Sequence, residues 1–455
     1  MTLLVVSPDY ASHLLPLAAL ATAWRDAGEH VVVATGPATA PIVADFGFDR
    51  VDLPLGRGAN AGVMRTREQD AAEAASLEGF FEATRHGMVP TLAYQARERL
   101  TDLMWQPEER ARATLEVVDR VRPDAILVDH LAFSARLALH TAGIDYGDVV
   151  LGHPSALPGP GEVYGFPSAW PRAFQPEPAE LAELRRLCVE VSDRFAGQWN
   201  TAARALDPGA DAVTDAFALH GDVVLYNYPA LLAAGDGRAL PPHVFLGSTR
   251  RDERHDHDVD EFLRAGTPFV YVSFGSFLSV RGDVLARVAA AIARTGLRAA
   301  IATGSTPAGQ LGQLPDGWLV REYLPQVRLL GAAALAVTHG GNNSITEAVG
   351  QGVPLLVLPF STDQFAGAAA VESSGAGLSL APNTATVNEL AEAVAALADP
   401  DWQGREALRT EAAAQHERPG PTLAYAALSS MSASPATSAS PTSWAMATGS
   451  PAADR

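Results

Sequence analysis

The segment with the most specific chemistry is residues 338–364, THGGNNSITEAVGQGVPLLVLPFSTDQ. Its pattern predicts a buried strand ending at Thr338, a glycine-rich turn, and a helix beginning near Asn343. The first amides of such a helix lack partners within it, and the helix dipole adds positive potential there. Gly340 and Gly341 let the backbone approach an anion. Three polar side chains can add hydrogen bonds: His339, Asn343 and Ser344. The segment favours a diphosphate site; the alternative is a plain strand–turn–helix with a helix cap.

Asp363 and Gln364 follow the next predicted strand, Leu355 to Leu358, after a short loop. Because ligands of parallel sheets bind beyond the carboxyl ends of the strands, both side chains are expected to face the same cleft as the glycine-rich turn. Carboxylate and carboxamide groups hydrogen-bond readily to hydroxyls, so this pair suits a sugar.

His13 and Asp129 could together move a proton. His13 lies in the loop after the first predicted strand, Thr2 to Val6, and Asp129 ends the predicted strand ILVD. A neutral imidazole can take a proton from a hydroxyl, and a carboxylate behind it would fix the tautomer and stabilise the imidazolium. Two alternatives stay open: both could be ordinary loop or turn residues, and the neighbouring His130 could act in place of His13.

Aromatic and methionine side chains occur throughout irregular parts of the N-terminal half, and above a cleft they would suit an apolar ligand. Four residues are predicted to contact this second ligand: Phe80, Met88, His153 and Phe166. His153 follows another predicted strand, in LGHPS. Packing beneath a long loop, or an ordinary loop histidine, is an equally good interpretation for any one of them.

Two successive series of alternating strands and helices must position these residues, one from Thr2 to about Tyr226 and one from Phe269 to about Leu380. Such alternation predicts an α/β fold with two doubly wound parallel sheets facing across a cleft. Within the first series, residues 56–105 are predicted to be irregular. The predicted parts are an N-terminal domain in residues 1–235, a linker in 236–262, a C-terminal domain with closing helices in 263–430 and a disordered tail in 431–455.

Composition excludes several classes of function. The formal net charge is −19, and so acidic a surface repels phosphate backbones, so no nucleic-acid partner is expected. The one cysteine, Cys188, excludes an intrachain disulfide and fits the cytoplasm. No apolar stretch is long enough to predict a membrane span. The run DERHDHDVD at residues 252–260 contains metal-ligating residue types, but its place between two domains favours a solvated linker, so no metal site is predicted.

Residues 338–364 resemble the nucleotide-sugar-binding signature of the UDP-glycosyltransferases, glycosyltransferase family 1, which include actinobacterial natural-product enzymes. The resemblance extends over roughly Phe269 to Leu380 and rests on short motifs in the N-terminal half. It implies the GT-B fold: two Rossmann-like domains, with the donor bound on the C-terminal domain and the acceptor on the N-terminal one. It also implies that helix dipoles, rather than a metal, neutralise the leaving diphosphate.

The resemblance also implies the roles of individual residues. Glu347 would bind the ribose hydroxyls and Ser276 a phosphate. Tyr323, in EYLPQ, lies where many relatives have a tryptophan that stacks on the base, and Asn342 lies where the plant signature has tryptophan. Both departures leave the donor sugar, and the choice of uracil or thymine, open. The implied donor residues are Ser276, Tyr323, Gln326, His339, Gly341, Asn343, Ser344, Glu347, Asp363 and Gln364.

These features predict an inverting glycosyltransferase in which His13, aided by Asp129, deprotonates an acceptor hydroxyl that displaces UDP or dTDP. A polyketide or macrolide acceptor, a monomer or homodimer, and no cofactor beyond the nucleotide sugar are expected. The alternative is a non-catalytic nucleotide-sugar-binding partner of GT-B fold, which a displaced His13 would favour. A sugar epimerase or phosphorylase of GT-B fold lacks support, since a phosphorylase would need a pyridoxal lysine and the chain has no lysine. A dinucleotide oxidoreductase is disfavoured because no GxGxxG follows the first strand.

Overall fold

The computed structural model of the chain describes residues 1–60, 71–101, 103–249, 253 and 255–433. These residues form two parallel sheets, and apolar clusters on both faces of each sheet pack against helices. The predicted α/β fold with two Rossmann-like domains is therefore confirmed. Within the described ranges, no helix has both the length and the apolar character needed to cross a membrane.

The N-terminal sheet has seven strands in the order β3-β2-β1-β4-β5-β6-β7. Its strands are short apolar runs, as expected where helices cover both faces of a parallel sheet. The strands are β1 (Thr2–Val6), β2 (His30–Thr35), β3 (Asp49–Asp52), β4 (Ala125–Asp129), β5 (Gly147–Val150), β6 (Val223–Tyr226) and β7 (His243–Phe245). The helices are α1 (Ala11–Asp26), α2 (Ala40–Asp45), α3 (Ala71–His86), α4 (Met88–Thr101), α5 (Pro107–Val121), α6 (Phe133–Ala142), α7 (Pro178–Leu206) and α8 (Ala230–Ala233).

The C-terminal sheet has six strands in the order β10-β9-β8-β11-β12-β13. The strands are β8 (Phe269–Ser273), β9 (Arg298–Ala302), β10 (Leu319–Arg321), β11 (Leu335–Thr338), β12 (Leu355–Val357) and β13 (Gly377–Ser379). The helices are α9 (His257–Arg264), α10 (Gly275–Leu278), α11 (Gly282–Thr295), α12 (Gln326–Leu330), α13 (Asn342–Gly350), α14 (Gln364–Ser373), α15 (Val387–Ala398), α16 (Arg405–Glu417) and α17 (Gly420–Ala433).

The central strands of each sheet end in register. Val6 of β1 pairs with Val128 of β4, and Ser273 of β8 pairs with Thr338 of β11. The loops after these strands therefore start at the same edge of their sheet. In both sheets the strand order reverses between these central strands, which is where doubly wound sheets bind ligands.

The prediction of irregular structure for residues 56–105 is wrong for residues 71–101, which form α3 and α4. α3 is rich in alanine and glutamate, and α4 contains alanine, leucine, arginine and glutamine, all of which are good helix formers. Their apolar residues do not follow a single helical repeat, because the two helices pack against neighbours on more than one side. Phe80 contacts the core of the C-terminal domain, whereas Met88 lies in the core that α4 shares with α7. Residues 61–70 and 102 lie outside the described residues.

The predicted linker, residues 236–262, contains regular structure. β7 is the edge strand of the N-terminal sheet, and α9 begins at His257. The Asp256 carboxylate caps α9 by accepting hydrogen bonds from the amides of Asp258 and Val259. Only three residues long, β7 lies between polar segments, so its pattern was too short to be recognised as a strand.

The last helix, α17, packs on the N-terminal domain, whereas the sequence placed it among the closing helices of the C-terminal one. The ring of Tyr425 packs edge-on against Trp24 of α1 at 5.1 Å between centroids. Its hydroxyl donates to Glu29 at 2.8 Å, and Leu428 is buried against the N-terminal sheet. α17 runs to Ala433, three residues into the predicted disordered tail, and residues 434–455 lie outside the described residues.

Arg281 and Asn383 of the C-terminal domain hold the end of α3. The buried Arg281 guanidinium donates from Nη1 to the carbonyl of Thr84 at 3.1 Å, and Asn383 Nδ2 donates to the same carbonyl at 2.9 Å. Thr84 lies in the last turn of α3, where helix carbonyls have no partner within the helix. These bonds attach α3 of the N-terminal domain to the C-terminal domain.

Candidate active site

A cavity of about 770 Å³ opens between the carboxyl edges of the two sheets. Its wall includes the loops that follow β1, β4 and β5 of the N-terminal sheet and those that follow β8, β11 and β12 of the C-terminal sheet. Residues of α3, of α4 and of the segment 164–167 complete the N-terminal side. Most of the residues predicted from the sequence therefore share one cavity.

His13 lies on the wall of this cavity and is hydrogen-bonded to Asp129 behind it. His13 Nδ1 lies 2.7 Å from Asp129 Oδ2, with the histidine side chain 21% exposed and the aspartate side chain fully buried. An ionised carboxylate only accepts hydrogen bonds, so in the neutral imidazole Nδ1 carries the proton and Nε2 has the lone pair. The other Asp129 oxygen accepts the amide of Leu131 at 2.8 Å, which fixes the carboxylate. The pair has the geometry of a general base and the group that orients it.

The charges around the pair favour a protonated His13. Burial acts to lower the pKa of His13, but the charge and hydrogen bond of Asp129 and the charge of Asp363 outweigh it and raise that pKa above 6.5. Burial acts to raise the pKa of Asp129, but the charge and hydrogen bond of His13 outweigh it and hold that pKa below 3.8. A proton that His13 accepts is therefore stabilised by the carboxylate beside it.

His130, the rival base, also lies on the cavity wall. Burial, opposed by Asp129 and reinforced by the charge of Arg136, lowers its pKa to about 4. Its Nδ1 lies 3.5 Å from the amide nitrogen of Leu151. A group with so low a pKa binds a proton poorly near neutral pH, so His13 is the better base of the two.

The N-terminus of α13 lines the same cavity. Gly341 is its N-cap and no side chain caps the helix, so the first helical amides are available to an anion. Gly340 has a φ of +89°, and a Cβ there would lie 2.8 Å from Val357. Only glycine fits this position, and the tight turn leaves the backbone amides accessible.

The imidazole of His339 lies between two glycines. A Cβ on Gly275 would lie 2.8 Å from its Cε1, and a Cβ on Gly341 would contact Nε2. Burial lowers the pKa of His339 to about 4, against a hydrogen bond to the backbone of Ser273. A neutral imidazole can donate a hydrogen bond to a diphosphate but adds no charge, so the positive potential must come from the helix.

Asn343 makes a contact that the sequence did not predict. Its Nδ2 donates to the carbonyl of Ser12 at 3.0 Å and so links α13 to the first turn of α1, where the structure places His13. Its neighbour Asn342 donates to the carbonyl of Asn227, at the end of β6, at 3.2 Å. The start of α13 therefore joins the two domains beside the candidate base.

Gln326 and Glu347 hydrogen-bond each other. Gln326 Nε2 donates to a Glu347 carboxylate oxygen at 2.6 Å, and Ser344 Oγ lies 3.5 Å from the Gln326 oxygen. Gln326 and Ser344 are wall residues, whereas Glu347 is only 4% exposed and lies behind them. The predicted contact of Glu347 with a ribose stays a prediction.

Tyr323 is 67% exposed and lies on the cavity wall. Its position leaves an aromatic face open to a base. Ser276 lies in α10, directly after β8, and its side chain lies outside the described part of the structure. Both predicted contacts stay predictions.

Asp363 reaches across to the N-terminal domain. Its carboxylate accepts a hydrogen bond from the backbone amide of His153, and a Cβ on Gly152 would lie 2.7 Å from Asp363 Oδ2. Burial raises the pKa of Asp363, against hydrogen bonds from Thr362 and backbone amides and against the charge of His13. Asp363 is thus placed between the donor side of the cavity and His13.

Gln364 shapes the loop that carries Asp363. Its Oε1 accepts the amides of Phe360 and Ser361 at 3.0 and 3.1 Å, and its Nε2 donates to Ser361 Oγ at 3.1 Å. Thr362 has a φ of +51°, a strained backbone conformation for a β-branched residue. Because the carboxamide is occupied by the loop, one N–H of Gln364 is left for the predicted sugar contact.

Of the four predicted acceptor contacts, Phe80 and Phe166 line the cavity. The predictions for Met88 and His153 are wrong. Met88 is 6% exposed and packs in an apolar core, because it begins α4 on the face turned toward the protein interior. The imidazole of His153 is 4% exposed, packs edge-on against Tyr228 at 5.6 Å between centroids and is not part of the cavity wall.

Several wall residues of α3 and α4 were missed because their segment was predicted to be irregular: Leu77, Tyr94, Gln95, Glu98 and Arg99. Gln95 also accepts the amide of Thr362, at 3.2 Å, across the domain boundary. Tyr94 with Glu98, and Gln95 with Arg99, have the i, i+4 spacing that puts two side chains on one helix face. That spacing is the signal that could have identified them.

The charged run between the domains is engaged in ion pairs. Arg321 pairs with Asp256 at 2.8 Å and also with Asp258. His255 Nε2 lies 2.5 Å from an oxygen of Asp260. Among the residues that the structure describes, no group of three or more histidine, cysteine, aspartate or glutamate side chains could hold a metal ion.

Comparisons with known proteins find similarity to glycosyltransferases. Residues 229–426 match the family described as UDP-glucoronosyl and UDP-glucosyl transferase. The chain is 27% identical over 396 residues to the elloramycin glycosyltransferase ElmGT of Streptomyces olivaceus, covering 86% of this chain and 89% of that protein.

Two solved structures resemble the whole chain. The glycosyltransferase SnogD of Streptomyces nogalater has a TM-score of 0.61 and 21% identity, covering 95% of this chain and 99% of that one. The glycosyltransferase VinC, solved in complex with dTDP, has a TM-score of 0.64 and 18% identity, with the same coverage of 95% and 99%. At these identities the likeness establishes a shared fold, and that fold is the predicted GT-B architecture.

Proposed function

We propose that this chain, a glycosyltransferase of the UDP-glycosyltransferase family, transfers a sugar from a UDP or dTDP donor to a hydroxyl of a small, largely apolar acceptor such as a polyketide or macrolide. The observation that carries the proposal is the 2.7 Å pair of His13 and Asp129 in the same cavity as the uncapped N-terminus of α13. The pair can generate a nucleophile, and the helix end can accept the leaving group.

The reaction is a single displacement. His13 Nε2 takes the proton of the acceptor hydroxyl, and the oxygen attacks the anomeric carbon from the side opposite the diphosphate. The bond between that carbon and the diphosphate oxygen breaks as the new glycosidic bond forms, so the anomeric configuration inverts. Asp129 stabilises the imidazolium through its hydrogen bond, and the amides at the start of α13 hold the departing diphosphate.

Donor recognition divides among three parts of the C-terminal wall. The amides at Gly341 to Ser344, with the neutral His339, bind the diphosphate, and Tyr323 stacks on the base. Asp363, held by its loop beside His13, contacts the sugar. The dTDP bound to VinC supports thymine as one base to test here, and the family description supports uracil.

No metal or other cofactor is part of the proposed mechanism, because the helix end and backbone amides supply the positive potential. Transfer should therefore persist in excess EDTA. Loss of activity in EDTA that manganese or magnesium restores would contradict this part of the proposal.

The test is a transfer assay on the full chain with UDP- and dTDP-glucose as donors and hydroxyanthraquinones and a macrolide aglycone as acceptors. Formation of a glycoside, with release of one nucleoside diphosphate for each glycoside formed, supports the proposal. A chain that binds the nucleotide sugars in calorimetry but glycosylates none of the acceptors would contradict it and would favour a non-catalytic partner.

A further inference from the structure

Arg99 is the one arginine on the cavity wall among the described residues. It lies on α4 and is half-buried. In the described part of the chain the guanidinium makes neither a hydrogen bond nor an ion pair. The guanidinium lies over the ring of Tyr164, whose centroid is 5.1 Å from Arg99 Cζ.

The surroundings hold this guanidinium in place. The ring of Tyr164 is stacked on Phe217 at 3.8 Å between centroids, with an angle of 7° between the planes, and Phe217 is stacked on Phe195 at 4.0 Å. Gly165 has a φ of +81°, and a Cβ there would lie 2.7 Å from Arg99 Nη1. Arg99 is therefore supported by a fixed aromatic stack and by a residue that leaves room for it.

An arginine stacked on a ring keeps the N–H groups of its plane available for a planar anion. Glu98 precedes Arg99 in the sequence and has a carboxylate on the same cavity wall. This carboxylate accepts a hydrogen bond from Ser76 and forms no ion pair with Arg99. Apolar side chains, Leu77, Phe80 and Phe166, lie on the same side of the cavity. A cation that is partly removed from water and has no counter-anion among the described residues is costly, and a ligand carboxylate would remove that cost.

We infer that the acceptor carries a carboxylate, or an oxygen of similar acidity, and that Arg99 binds it. This inference rests on the proposed function, since it assigns the N-terminal side of the cavity to the acceptor. The reactive hydroxyl would lie at His13 and the acidic group at Arg99, so the ion pair fixes the orientation of an otherwise apolar molecule.

The experiment is calorimetric titration of the full chain, saturated with UDP, with anthraquinone-2-carboxylate and with its methyl ester at pH 7.5. Neither probe has a hydroxyl to glycosylate, so binding is measured without any transfer. We expect the acid to bind at least about tenfold more tightly than the ester. Arg99→Gln should abolish this preference, and Arg99→Lys should keep part of it, because lysine keeps the charge but not the planar fork.

The matched control is Arg97→Gln. Arg97 lies on the same helix but is exposed and absent from the cavity wall, so its loss changes the net charge equally and should leave the preference intact. Equal binding of acid and ester, no binding of the acid, or a preference that survives Arg99→Gln would overturn the inference.

A further titration with UDP, UDP-glucose and UDP-glucuronate separates an acceptor carboxylate from an anionic group of the donor. The affinities of all three should be the same in wild type and Arg99→Gln. A selective loss of UDP-glucuronate, or of all three, would place Arg99 in the donor site instead. Because these titrations measure binding alone, they remain decisive for Arg99 even if the transfer assay fails. Conversely, transfer to acceptors without any acid preference would refute only the role of Arg99.

Discussion

On the C-terminal side of the cavity, the lining residues lie at the ends of the sheet strands, in the turns that follow them and in the first turns of the helices that come next. On the N-terminal side they belong to the first turn of α1, which carries His13, to the loops after β4 and β5, to α3 and α4, and to the segment 164–167. Turns fixed to buried strands present backbone amides in one geometry, which suits a diphosphate common to all donors. Side chains on helices can be exchanged without changing the sheet, which suits an acceptor that differs between enzymes. In the proposed reaction, the fold therefore sets the wall that binds the donor, and individual side chains set the wall that binds the acceptor.

The largest expected effect comes from substituting His13, the proposed general base in the N-terminal domain. His13→Ala should lower turnover by roughly a hundredfold or more, because general base catalysis contributes about that much. Affinity for UDP should stay near that of wild type, because the diphosphate is bound on the other wall. Steady-state kinetics and calorimetry on the same preparation make the comparison. Unchanged turnover would refute the base assignment, and lost UDP binding would refute the separation of the two walls.

The second prediction concerns the pH dependence of kcat/KM. The base must be neutral to accept a proton, and the pKa of His13 is raised above 6.5, so activity should fall as pH drops through an apparent pKa above that value. Asp129→Asn removes a charge that raises this pKa. The acid limb should therefore move to lower pH while the maximal rate falls at least about tenfold. An acid limb that stays in place would show that another group titrates.

The third prediction separates two parts of the donor wall. His339→Ala removes a diphosphate contact and should weaken UDP and every nucleotide sugar by a similar factor, about tenfold for a hydrogen bond worth ~1–2 kcal/mol. Gln364→Ala loosens the loop that carries Asp363, so it should change the ranking of donor sugars while UDP binds as before. Calorimetry with UDP and several nucleotide sugars measures both. Equal losses of UDP affinity in the two variants would contradict this division.

The smallest expected effect lies on the acceptor wall. Phe80→Ala should raise the KM for an apolar acceptor about threefold to tenfold, because a lost aromatic contact is worth ~1 kcal/mol, and should leave the KM for the donor unchanged. Met88→Leu is the matched control, since Met88 is a core residue and this change conserves its volume. A larger effect on acceptor KM from Met88→Leu than from Phe80→Ala would reverse the assignment of these two residues.

Most of the features that could be predicted from the sequence are those set by residues close together in the chain. The strands, the glycine-rich turn and the start of α13 follow from local patterns, because their geometry depends on residues close together in the chain. The pairing of His13 with Asp129 could be predicted from the sequence, because one residue follows a strand and the other ends one, and both strands finish at the same edge of one sheet. The wrong predictions for Met88 and His153 concern which way a side chain points, and this depends on packing between α4 and α7 or within the loop after β5.

Other features depend on contacts between distant parts of the chain. Nothing local to α17 predicts that it returns to the N-terminal domain, where Trp24 and Glu29 meet Tyr425. The same holds for the bond from Asn343 to Ser12 and for the φ of +51° at Thr362, which no glycine or asparagine marks in the sequence. Arg99 could have been noticed by its helical spacing with Gln95, but its place in the cavity depends on Tyr164 and Gly165.

The central claim is that donor and acceptor meet in one cavity and react in a single displacement assisted by His13. The most direct test is the anomeric configuration of the glycoside, read from the proton coupling constant of its anomeric position by nuclear magnetic resonance. A donor such as UDP-glucose, with an α linkage to the diphosphate, should give only the β-glycoside. An α-glycoside would require two displacements or a different attack, and would contradict the mechanism proposed for His13 and Asp129.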